Sequence, residues 1–117
     1  MRPLEVITRA QDGRALVELR GELDIATAAE LRAQLRAARR EHGEDLVLDL
    51  RGLEFMDSDG LAVLIRCYKS VTAAGGSLTL AAPRPVVRRT LEVTGLHRRI
   101  TVVPTVAEAL GAGAPAP

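Results

Sequence analysis

The 117-residue chain has no tryptophan, one phenylalanine and one tyrosine. Its core must therefore be aliphatic, and it lacks the aromatic residues, interleaved with basic ones, on which single-stranded nucleic acid stacks. Cys67 is the only cysteine, which leaves no internal disulfide to form, and Lys69 is the only lysine among 16 basic residues. With a net charge of +1, no bulk field draws in nucleic acid or an acidic membrane surface. No apolar run approaches the roughly 20 residues that span a bilayer, and no signal-peptide pattern opens the chain. Together these absences predict a cytoplasmic protein that contacts neither membrane nor nucleic acid directly.

An apolar share of 47% beside 26% charged residues is that of an ordinary globular domain. The sequence predicts one domain over residues 1–111 and a disordered tail over 112–117.

Leu4 to Thr8 and Ala15 to Arg20 alternate apolar and polar residues around Asp12-Gly13, which predicts a hairpin. Gly21-Glu22-Leu23-Asp24 reads as a polar break. Thr27-Ala28-Ala29-Glu30 then fits a capping box at the head of a helix whose buried stripe is Leu31, Leu35 and Ala38. Its arginines, Arg32, Arg36, Arg39 and Arg40, are expected to form a solvated face, and Gly43 to end the helix.

Leu46 to Leu50 reads as a central strand. Arg51 to Met56 reads as a connection to a second helix, on which Leu64, Ile65 and Tyr68 form one apolar row and Val63, Cys67 and Val71 another. Ser77 to Leu80 alternates as a strand. Pro85 opens a third helix carrying Val86, Val87, Thr90, Leu91 and Val93, and Gly95 closes it. Ile100 to Val103 gives a last strand, and Thr105 to Glu108 a second capping box. The expected order is ββαβαβαβα, an α/β fold with an open, mostly parallel sheet, covering helices and an antiparallel N-terminal hairpin.

Between strand and second helix lies Phe55-Met56-Asp57-Ser58-Asp59-Gly60-Leu61. A nucleophile elbow would require glycine where Met56 stands, and only His42 and His97 could serve as bases. A calcium loop would place Phe55 and Arg66 at ligand positions. Asp57-x-Asp59-Gly60 after a strand looks like the nucleophile motif of haloacid dehalogenase phosphatases, in which the first Asp attacks phosphorus. Only Glu92 and Glu108 follow as acidic helpers, each inside a predicted helix. A serine here is also a common helix N-cap.

Gly21-Glu22-Leu23-Asp24 with Thr27, Leu48-Asp49-Leu50, Met56-Asp57-Ser58-x-Gly60-Leu61 and Gly95-Leu96 together resemble a STAS domain of the anti-sigma factor antagonist type. The resemblance runs from about Leu4 to Leu110. It implies a regulatory binding module with no cofactor and no metal, rather than an enzyme. Ser58 would be phosphorylated by an ATP-dependent kinase that is itself the anti-sigma factor, and a separate phosphatase would reset it. The unphosphorylated form would bind that kinase and release sigma, through Glu22, Asp24, Thr27, Asp57, Ser58, Asp59 and Gly60. Related domains also serve as unphosphorylated scaffolds or small-molecule sensors, which stands as the alternative. Where the family usually has a second Ser or Thr, this chain has Asp59, a permanent charge beside the switch.

Overall fold

In the computed structural model, residues 3–112 are described. Strands β1 (Glu5–Gln11) and β2 (Arg14–Leu23) pair antiparallel up to Gln11 and Arg14. The two residues between them, Asp12 and Gly13, have φ of 51° and 78°. Positive φ at both positions is the turn geometry whose twist matches the flanking strands.

Helix α1 (Ala28–His42) leads to β3 (Asp45–Met56), α2 (Ser58–Ala73) and β4 (Ser77–Ala81). Helix α3 (Pro85–Val93), a 3-10 turn (Leu96–Arg98), β5 (Thr101–Val103) and α4 (Val106–Ala112) complete the order. The sheet runs β1-β2-β3-β4-β5, parallel from β2 onward. The expected order and mixed sheet are therefore present.

Each crossover from β2 to β5 steps one strand in the same direction, and right-handed crossovers of that kind lay their helices on one face. Accordingly Leu31 and Leu35 of α1, Val63, Leu64 and Val71 of α2, and Val87 and Leu91 of α3 share one core with Leu46, Leu48 and Leu50 of β3. Helix α4 covers part of the opposite face, where Ala109 meets Leu16, Val47 and Ala81. Alternate residues of β3 thus enter opposite cores, as the period of two requires.

Three expectations are corrected, and the apolar residues of α3 are sorted by burial. Gly21–Leu23 is not a break: it continues β2, and Gly21 sits at φ 102° where a Cβ would collide with the Pro3 carbonyl. Arg51–Met56 is not a connection, because β3 keeps pairing with β2 through register shifts near Arg20 and Gly21. Val86 and Val93 are exposed, at 53% and 76%, while Val87 and Leu91 alone carry the buried face of α3. Ala112 ends α4, and the rest of the expected tail lies outside the described residues.

On the face not covered by α1–α3, Asp49 is buried and takes hydrogen bonds from Arg51 Nη2 at 2.7 Å, Nε at 3.0 Å and the Arg51 amide at 3.1 Å. Burial pushes the Asp49 carboxyl up, but the Arg51 hydrogen bonds and charge outweigh it, so the net shift is downward. Among the described residues no helix is long and apolar enough to cross a membrane.

Candidate functional site

Strands β2 and β3 end side by side, with Leu23 opposite Met56 and Glu22 opposite Phe55. The Asp57 amide donates to the Leu23 carbonyl at 3.2 Å. The turns that start α1 and α2 are therefore neighbours at the carboxyl edge of the sheet, where open α/β folds commonly place ligands and partners.

In the second turn, the N-cap is Asp57. Its Oδ1 accepts from the amides of Asp59 at 2.9 Å and Gly60 at 3.1 Å, satisfying donors the helix leaves open. Ser58 is thus the first helical residue and not the cap, which removes the capping role considered for it. Its side chain is exposed and makes no hydrogen bond among the described residues. Asp59 is exposed beside it. Gly60 is buried, and a Cβ there would come within 2.6 Å of Leu23 Cγ. Gly60 therefore lets α2 pack closely on β2 and offers no side chain to a partner.

The first turn uses the same chemistry to a different end. Asp24, 8% exposed, accepts at Oδ1 from the amides of Ala26 at 2.9 Å and Thr27 at 3.2 Å. The Thr27 hydroxyl donates to the Glu22 carbonyl and accepts from the Asp24 amide, both at 3.0 Å. The expected Thr27–Glu30 capping box does not form: the Thr27 hydroxyl is engaged with the Asp24 amide and the Glu22 carbonyl, the Thr27 amide bonds Asp24, and Thr27 makes no side-chain cap bond. Thr27 instead latches the end of β2 to the start of α1. At Thr105 the box is half formed, its hydroxyl accepting from the Glu108 amide at 3.0 Å.

Two apolar residues absent from the predicted site also reach the surface at this edge, Ile25 at 76% and Phe55 at 42% exposure. Ile25 had a sequence signal, an isolated branched apolar residue inside a polar turn. Phe55 was hidden because its segment reads as a connection. Glu22 is half-buried and lies opposite Phe55 in register.

Among the described residues no three His, Cys, Asp or Glu side chains converge to hold a metal ion. Asp57, the nucleophile in a phosphatase reading, serves here as the N-cap of α2 through Oδ1.

The STAS domain family model matches residues 5–109. This chain belongs to that family. An anti-sigma F factor antagonist of Paenibacillus polymyxa is 36% identical over 96 residues, covering 81% of this chain and 82% of its own. An anti-sigma-B factor antagonist of Bacillus subtilis is 33% identical over 99 residues, covering 85% and 90%. The crystal structure of an anti-sigma factor antagonist from Mycobacterium paratuberculosis superposes with a TM-score of 0.86 at 31% identity, covering 94% of this chain and 93% of that one. The STAS fold and its α/β class are thereby shown, and the relatives are regulatory proteins by name.

Proposed function

We propose that this STAS protein is an anti-sigma factor antagonist whose binding is switched by phosphorylation of Ser58. The unphosphorylated form binds an anti-sigma factor that is also an ATP-dependent serine kinase, and sigma is released. Phosphorylation breaks that complex, and a phosphatase restores it. The protein acts as ligand and substrate, not as catalyst.

The observation that carries this reading is the free, exposed hydroxyl of Ser58, left over because Asp57 performs the capping. The 16-residue helix α2 directs its positive dipole end at that position. An added phosphate is thus tolerated locally and need not unfold the helix. It brings roughly −1.5 to −2 charges to a surface that already holds Asp57 and Asp59. A partner closing over Ile25 and Phe55 must desolvate that charge, so the complex is lost while the fold is kept. Glu22, Asp24 and Thr27 support the surface by shaping the neighbouring turn.

Incubation with ATP and the cognate anti-sigma factor should add the mass of one phosphate to the wild-type chain and none to Ser58→Ala. Equal labelling of the variant overturns the assignment.

A further inference from the structure

Helices α1 and α2 enclose a groove of about 310 Å³ on their outer side. Arg32, Arg36 and Arg39 line it from α1, and Arg66 and Lys69 from α2. One carboxylate answers them: Glu44 holds Arg39 at 2.6 Å. Arg36, Arg66 and Lys69 form no ion pair among the described residues, and Arg32 Nε is buried without a hydrogen-bond partner. In a chain of net charge +1, this is a concentrated cationic site, which the sequence presents only as scattered helix-surface charges.

The groove begins at Val63 on α2, five residues past Ser58, or about 7–8 Å along the helix axis. It is distinct from the phosphorylation edge. Its floor is formed by Leu35, Val63 and Cys67, all aliphatic or thiol. Neither Phe55 nor Tyr68 lines it, so no aromatic ring is present to stack on a nucleobase. The volume lies at the small end of ligand pockets.

We infer that this groove binds a small organic diphosphate with a short aliphatic body. Adjacent phosphates match the planar donor forks of several guanidinium groups, which hold phosphate in two-point fashion. They also offer an acceptor to Arg32 and relieve repulsion among the unpaired cations. The aliphatic portion covers Leu35 and Val63.

The test is calorimetric titration of the full chain at low ionic strength with inorganic pyrophosphate, dimethylallyl diphosphate and adenosine diphosphate, with amide shifts mapped by NMR. Dimethylallyl diphosphate is expected to bind most tightly, with shifts on residues 32–39 and 63–70, and binding should weaken with salt. Arg36→Gln with Arg66→Gln, both exposed and unpaired, should lower affinity at least about tenfold with the amide spectrum still dispersed. Arg98→Gln should change nothing. Pyrophosphate binding as tightly as the alkyl compound, or tightest binding by adenosine diphosphate, overturns the aliphatic assignment. Shifts confined to residues 57–60, or no binding by any of the three, overturn the site. So does binding of an acidic peptide when the three diphosphates do not bind.

Discussion

The turns at the heads of α1 and α2 are built alike and end differently. In each, an aspartate caps two backbone amides close ahead of a helix, and a hydroxyl residue follows. After Asp24 the hydroxyl of Thr27 is bound on two sides and the aspartate is buried. After Asp57 the hydroxyl of Ser58 stands exposed and unbound. The difference is one of position. Thr27 lies where it can reach back to the Glu22 carbonyl, whereas Ser58 is the first helical residue and is exposed. One turn is a latch and the other presents a free hydroxyl.

The contrast can be broken at the caps. Asp24→Ala should destabilise the fold by about 2–3 kcal/mol, since it removes a buried carboxylate together with its bonds to the Ala26 and Thr27 amides and to the Thr27 hydroxyl. Asp57→Ala should cost about 1 kcal/mol, the ordinary worth of an N-cap, because Asp57 is itself only half-buried. Denaturant unfolding of both variants checks this; equal costs would mean that the two turns are not different in kind. Gly60→Ala should cost about 1–3 kcal/mol in the same assay, because the added methyl must displace Leu23.

Asp49 sharpens the comparison from a third position, as a buried carboxylate held by a guanidinium as well as an amide. Its folded pKa is lowered, so its contribution is fully present above the ordinary aspartate value of about 3.9 and is lost as pH falls through the folded value. Arg51→Ala should therefore flatten the acid limb of a stability-against-pH curve and destabilise the protein at neutral pH. An unchanged acid limb would show that the pair contributes nothing.

The smallest effect is expected at Asp59. Asp59→Ser removes a standing charge from the first turn and should widen the ratio of partner affinities, unphosphorylated over phosphorylated, by about two- to fivefold. Partner titrations of both forms measure it, and an unchanged ratio means that the charge does not bear on switching.

Much of this was legible in the residues. Asp12-Gly13 marks its hairpin because few residue pairs accept two positive φ values. Leu31, Leu35 and Ala38 mark the inner face of α1 through their spacing. The position of Ser58 at a helix start also follows from pattern. What the pattern did not carry depends on neighbours in space. Strand β3 extends to Met56 because β2 is there to pair with it across Gly52, where a Cβ would press on Arg20 and Leu19. Thr27 looks like a cap until the Glu22 carbonyl and the Asp24 amide engage its hydroxyl. The arginines of α1 look solvated until Arg66 and Lys69 of α2 face them across a groove.

The central claim is that charge on Ser58 decides binding. It is tested most directly by measuring the affinity of the anti-sigma factor for the chain carrying serine and for the chain carrying phosphoserine at position 58. Like-charge crowding in a desolvated interface costs several kcal/mol, so the phosphorylated chain should bind at least about a hundredfold more weakly with its fold intact. Equal affinity of the two forms would contradict the account.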